Sequence, residues 1–278
     1  MRLNRILLFS LTLIISLSAS TRLSSAVTRQ SGGLYQDMSL TQRRRFVADK
    51  AHEISRRISG KDYQFTPAFE IELQKSVDFY AQRIGNNAGD VPGRGDARFA
   101  FERGQGLAPM LSRIFKTHNV APLIGLYLPM VESEYRNLES PNAMGAVGMF
   151  QFVPQTGEHY GLSPEDLLDV EKSADAAARY IADSINQFGS DPMKEVLALL
   201  VYNRGGNNVE RDLAALVNDQ NRACSICALT EQRDKLDKSF RRESVYYVPR
   251  WFAAAIIGEN PQAFGLQTRP LSSIEVKQ

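Results

Sequence analysis

Cysteine is scarce in this sequence: Cys224 and Cys227 are the only two among 278 residues. One pair cannot build the multi-bridge framework of a small disulfide-rich domain, and alone it falls short of the four ligands of a structural zinc site. Histidine is nearly as rare. His52, His118 and His159 stand far apart with no ligand spacing, so neither a metal site nor a histidine-based catalytic triad has support, and no cofactor is required. Sustained alternation of apolar and polar residues is missing too, which argues against a strand-rich fold. Beyond residue 17 no apolar stretch approaches the roughly 20 residues needed to cross a bilayer, so no permanent membrane span is expected. There is no internal repeat and no low-complexity tract.

What is present begins with an export signal. Met1-Arg-Leu-Asn-Arg5 is basic, Ile6 to Leu17 is almost unbroken apolar sequence, and small residues follow. This pattern predicts a secretory signal peptide over residues 1–26, with an uncleaved anchor as the alternative. The periplasm is the expected destination, the extracellular medium the other. Removal of that segment takes away Arg2, Arg5 and Arg22 and no acidic residue. The 33 basic residues less those three then face 31 acidic ones, so the net charge falls from +2 to about −1. A nucleic-acid partner would call for a basic surplus, and none remains. In an exported chain, Cys224 and Cys227 read as a local disulfide, with free thiols or a redox motif as alternatives.

The rest, 43% hydrophobic and 23% charged, has ordinary globular composition and reads as helix nearly throughout. Phe69, Leu73, Val77, Tyr80 and Ile84 recur at three- and four-residue spacing behind Thr66-Pro67, with Gly85 past the end. Val47, Ala51, Ile54 and Ile58 make a weaker stripe, and the neighbouring Arg43, Arg44, Arg45, Arg56 and Arg57 read as a solvated face rather than a basic contact surface. These helices compose an N-terminal helical region, residues 27–106. It closes with a loop at 85–98 that is dense in Gly, Asn and Asp and contains Pro92. The tripeptide Arg94-Gly95-Asp96 within it carries no adhesion meaning in such a segment. Further helices are predicted over Leu107–Lys116, Pro122 to about Tyr135, Ser173–Phe188, Met193–Tyr202 and Val248–Gly258, with a bent loop or short hairpin between Asn137 and Phe152.

Chemistry concentrates at the end of the Pro122 helix. An apolar run from Leu123 to Val131 gives way abruptly to Glu132-Ser133-Glu134-Tyr135. A carboxyl there sits between protein interior and cleft, where desolvation raises its pKa and equips it as a general acid. Pro129 removes a helical hydrogen bond just before it and bends the chain. Two more motifs follow in order. One is Ala143-Met-Gly145-Ala-Val-Gly148-Met-Phe-Gln151-Phe152-Val-Pro154-Gln-Thr156-Gly157, and the other is Val201-Tyr202-Asn203-Arg204-Gly205.

Taken together, these three segments resemble the soluble-lytic-transglycosylase domain, closest to the D type of membrane-bound murein transglycosylases. Asp175 to Tyr180 and Tyr247-Val-Pro249-Arg250 to Gly265 resemble the same sequences. The resemblance implies a mainly α, lysozyme-like catalytic domain over residues 107–266, followed by a tail at 267–278. It also implies cleavage of the β-1,4 bond between N-acetylmuramic acid and N-acetylglucosamine, with peptidoglycan glycan strands as the partner and no protein partner indicated. Glu132 carries over as acid and then base, and Ser133, Gln151, Tyr202 and Asn203 as groups that orient the sugar or the carboxylate. The third motif departs from the family at Arg204 and Gly206, where relatives commonly have small and acidic residues.

Most glycosidases pair two carboxyls. Glu134 is the nearest second candidate in the sequence, on another face if the helix continues, and Glu139 and Glu158 have no assigned place. A single carboxyl suffices where the substrate's acetamido oxygen attacks the anomeric carbon, which would leave 1,6-anhydromuramoyl ends. The competing readings are a lysozyme-like hydrolase and a peptidoglycan-binding scaffold without activity.

Overall fold

The structure is a computed structural model that describes residues 33–274, so the expected signal segment at 1–26 lies outside the described residues. The fold is mainly α, with no strand among those residues. The predicted hairpin between Asn137 and Phe152 reduces to one antiparallel bridge, Val147 to Phe152.

Helix α1, Leu40–Ser59, starts on a reciprocal capping box between Ser39 and Gln42 and stops at Gly60, whose φ of 72° ends the helix. Its stripe of Val47, Ala51, Ile54 and Ile58 is buried. The arginines beside that stripe are largely paired. Arg43 donates to the carbonyls of Tyr35, Gln36 and Met38, Arg56 pairs with Asp62, and Arg57 with Glu259. Helix α2, Pro67–Ala81, begins on Thr66, whose hydroxyl accepts from the Phe69 amide at 3.4 Å, and buries Phe69, Leu73, Val77 and Tyr80. Pro67 fits its first position because no helical hydrogen bond is lost there.

Helices α3, Arg98–Thr117, and α4, Pro122–Ser133, pack together. The former starts nine residues before the sequence predicts, because Gly104 and Gly106 weaken the helical signal of its first half. Three helices went unpredicted: α5, Pro154–His159; α8, Gly206–Leu216; and α9, Ser225–Glu231. Two of them are a single turn or two, and α8 is rich in Gly, Asn and Asp, so neighbours rather than propensity hold them. Between them lie α6, Val170–Gln187, which packs on α3, and α7, Lys194–Arg204, which packs on α6.

The last long helix organises the rest. Helix α10, Val245–Glu259, has 12 of its 15 residues buried, so it must be surrounded, and it touches α1, α2, α4 and α7. Trp251 and Phe252 are fully buried in it, each contributing roughly 1.5–3 kcal/mol of apolar burial. Gly258 lets it approach α4, since a Cβ there would strike the Tyr127 ring. A single core therefore joins α1 and α2 to the later helices, and the described residues make one compact unit. Among the described residues no helix is long and apolar enough to cross a membrane.

Candidate active site

Helix α4 ends in a forced stop. Glu134 and Tyr135 take φ values of 53° and 58°, a conformation that costs non-glycine residues energy and persists only where neighbours fix it. Here they do. The Tyr135 ring is buried and its hydroxyl donates to the Leu126 carbonyl at 2.8 Å, Arg83 pairs with the Glu134 carboxylate at 2.7 Å, and Arg103 donates to the Glu134 carbonyl at 3.0 Å. Glu134 is thus held by an arginine and points into a structural ion pair. The turn leaves Glu132 in the final helical turn, with only partial solvent access.

Burial pushes the Glu132 carboxyl up from its ordinary 4.5 to about 8. A hydrogen bond donated by the Tyr247 hydroxyl acts the other way, and the charge of Glu243 adds to the rise. The negative end of the α4 dipole also disfavours the charged form. A carboxyl in this state is protonated at neutral pH, as a general acid requires.

Neither Tyr247 nor Glu243 was singled out in the sequence. Tyr247 sits in the Tyr247-Val-Pro249-Arg250 segment, which resembles family sequence but was given no role at the site. Glu243 lies on a stretch of π-helix, Phe240–Ser244, that leads into α10; wide turns of this kind are frequent at functional sites and leave no hydrophobic period to detect. The structure therefore corrects the search for a second carboxyl: the one that acts on Glu132 is Glu243, while Glu134 is consumed by Arg83.

The second motif wraps the carboxyl's helix end. The Ser133 hydroxyl is buried and donates to the Met149 carbonyl at 2.8 Å, and the Tyr202 hydroxyl donates to the next carbonyl, Phe150, at 2.8 Å. Both hydroxyls hold the 149–150 backbone in place. Gly148 has φ 77°, and a Cβ there would collide with the Leu167 carbonyl, so this loop closes only with glycine. Gln151, itself at φ 51°, donates to the Gly148 carbonyl at 2.8 Å and accepts from Asn142 at 3.3 Å. Asn203 donates to Glu243 at 3.2 Å, and its own carbonyl oxygen is buried without a partner. Tyr202 also continues an aromatic row, 5.3 Å from Tyr180, which lies 5.4 Å from Tyr160.

Arg204 turns away from this cleft. It is buried, bonded to Asp212, 2.8 Å from Asp237, and its guanidinium lies 5.1 Å over the Phe240 ring. Arg204 thus has a structural role: it clamps the π-helical stretch that carries Glu243. Residues 112–223 match the family model described as the Transglycosylase SLT domain.

The structure carries an SLT domain. That match supports a lytic transglycosylase of the lysozyme-like type, acting on peptidoglycan. Glu132, Ser133, Gln151, Tyr202 and Asn203 all fall inside the matched span, whereas Tyr247 and Glu243 lie beyond it. No curated protein matches the chain.

Glu132 opens on a cavity of about 330 Å³ shared with Tyr80, Pro92, Gly93 and Arg250. Its far wall is the 85–98 loop. That loop is fixed rather than a free linker: Asp96 is buried and accepts from the Gly85 and Arg98 amides, and Asp90 pairs with Arg103 and Arg136. A larger concavity of about 550 Å³, between Gln155, His159, Tyr160 and Tyr180, contains none of the five candidate site residues. Among the described residues no group of three or more His, Cys, Asp or Glu side chains is disposed to hold a metal ion. The sulfurs of Cys224 and Cys227 are in bonding contact where α9 begins, away from this cavity.

Proposed function

We propose that the chain is an exported lytic transglycosylase that cleaves the β-1,4 bond between N-acetylmuramic acid and N-acetylglucosamine and leaves 1,6-anhydromuramoyl ends. The observation that carries the reading is the Glu132 carboxyl, kept protonated to about pH 8 on a cavity lined by the first of the three motifs, with the Ser133 and Tyr202 hydroxyls joining the other two motifs to it through the 149–150 backbone. Glu132 gives its proton to the glycosidic oxygen as the bond to C1 breaks. The acetamido oxygen of the same sugar attacks C1 and carries the positive charge of the ring. Glu132, now a carboxylate, takes the proton of the 6-hydroxyl, O6 displaces the acetamido oxygen from C1, and the enzyme is returned in its starting state without consuming water.

Tyr247 serves both halves. Its hydrogen bond moderates the rise in pKa, so that Glu132 is acidic enough to give the proton and basic enough to take one back. Ser133 and Tyr202 act through the 149–150 backbone as positioning residues. The unpartnered Asn203 oxygen is an acceptor for the acetamido N–H, and Gln151 lines the approach. Resemblance to the D type rests on the motif sequences, and the periplasmic destination on residues 1–26.

A second reading has one observation in its favour. Glu243 is close enough to influence Glu132, and a second carboxylate can activate water, which would make the enzyme a hydrolase. The first test of the acid itself is Glu132→Gln, which preserves shape and removes the transferable proton. Clearing of purified peptidoglycan is expected to fall at least about a hundredfold with an unchanged circular dichroism spectrum. Residual clearing near the wild-type rate would remove Glu132 from the mechanism.

A further inference from the structure

Arg250 stands on α10 three residues beyond Tyr247, exposed, on the wall of the cavity that holds Glu132. Its guanidinium lies 5.8 Å from the Phe79 ring of α2 and 5.7 Å from the ring of Tyr246. Arg83, the other arginine that lines the cavity, is spent on Glu134 and the Gly95 carbonyl, as are Arg103 and Arg136 on Asp90 and Arg204 on Asp212 and Asp237. Among the described residues Arg250 has no ion-pair partner and no side-chain hydrogen bond. Phe79, 44% exposed, is one of the few large apolar side chains left open to solvent.

These features make a built site. Cation–π contact with two rings restrains a guanidinium while leaving its N–H donors unused, and a planar fork of donors suits a carboxylate. The charge of the cavity agrees. Arg83 and Glu134 cancel, and Glu132 is neutral below about pH 8, so among the residues that line the cavity Arg250 carries the one uncompensated charge, while Glu243, whose charge reaches Glu132, is not part of that lining. An anion is the ligand such a wall selects.

Resting on the glycan-cleaving reading above, we propose that Arg250, braced by Phe79 and Tyr246, binds a carboxylate of the glycan strand beside the scissile bond and makes the enzyme selective for muramoyl strands over neutral chitin-type strands. A muramoyl sugar has a lactyl ether at O3. Its carboxyl is free on a stripped strand, and on an intact strand it is amide-linked to a peptide that carries carboxylates of its own. The chemistry is common to both sources. Phe79 and Arg250 both lie outside residues 112–223, so the N-terminal helices and α10 would set the specificity of a centre whose acid lies within the matched span.

The test is calorimetric binding to the Glu132→Gln protein, so that no ligand is consumed. Four oligosaccharides of equal length serve as probes: peptide-bearing muramoyl strands, stripped strands, stripped strands with the lactyl carboxyl amidated, and chitin oligomers. At least one carboxylate-bearing probe is expected to bind about tenfold tighter than the neutral ones, the worth of a charge-assisted hydrogen bond. Adding Arg250→Gln should erase that margin and leave chitin binding within about twofold, while Arg250→Lys, which keeps charge but loses the stacked fork, should fall between. Preference for stripped strands assigns the lactyl carboxylate, and preference for peptide-bearing strands assigns the stem. Equal loss on neutral and anionic probes, no loss on any, or no binding of any probe would overturn the proposal. Charge-selective binding by a wild-type protein that cleaves nothing would sink the transglycosylase reading and leave this site standing.

Discussion

Two side chains tune Glu132 in opposite directions, which makes its environment testable at the level of single atoms. The Tyr247 hydroxyl lowers the Glu132 pKa and the Glu243 charge raises it, while burial dominates both. A general acid must be protonated to act, so activity is expected to fall as pH rises through about 8. Tyr247→Phe removes the lowering influence, and the falling limb should move to higher pH. Glu243→Gln removes the raising one, and the limb should move to lower pH. Muropeptide release measured from pH 5 to pH 10 reads both shifts; limbs that stay put, or move together, would mean that neither residue faces the acid. In the sequence, the end of an apolar run alone did not single out Glu132; the three motifs in order made it, with Tyr202 and Asn203, a candidate. Tyr247 and Glu243 come from residues more than 100 positions away from Glu132, and only the packing of α10 on α4 brings them to it.

At the scale of elements, the π-helical stretch Phe240–Ser244 is what aims Glu243, and Arg204 is what holds the stretch. Arg204 and Asp212 are both buried, and Asp237 is held down to about 2, first by its hydrogen bond to Arg204. Removing one member of a buried pair leaves an uncompensated charge, at a cost of roughly 3–5 kcal/mol. Arg204→Met should therefore lower the urea midpoint markedly, and Arg204→Met with Asp212→Leu should recover much of the loss. A single variant that unfolds at the wild-type midpoint would deny the clamp. Because the folded pKa of Asp237 is depressed, its contribution is present above about pH 4 and is lost as pH falls through about 2. The Cys224 to Cys227 contact belongs to this scale also, and we propose that the exported protein carries it as a disulfide. Intact mass should rise by two hydrogens on reduction, with peptidoglycan clearing unchanged in the Cys224→Ser, Cys227→Ser protein. Free thiols in material taken from its native compartment would contradict this. An element end carrying a strong local signal, Thr66-Pro67, was readable in sequence, whereas the Ser39 and Gln42 capping box emerged only in the structure. The first half of α3 and all of α8 were not, because glycine and polar residues hide helices that tertiary contacts impose.

For the whole molecule, the central fact is that α10 serves two roles at once. It is the buried axis against which α1, α2, α4 and α7 pack, and its first turns deliver Tyr247 to the Glu132 carboxyl and Arg250 to the cavity wall. The sequence showed the helical class and the order of the motifs. It did not show that the 85–98 loop, taken as a divider, walls the cavity, since that depends on Arg103 and Arg136 reaching Asp90. Nor did it show that Glu243 shares the site, which keeps hydrolysis alive as the competitor to ring closure. The two reactions differ by one water, and digestion of peptidoglycan in heavy-oxygen water followed by mass spectrometry separates them directly. Ring closure by O6 predicts anhydro ends that contain no label and are lighter by one water than a hydrolase's products. Heavy oxygen incorporated at the new reducing ends would contradict it and make Glu243 the candidate base of a hydrolase.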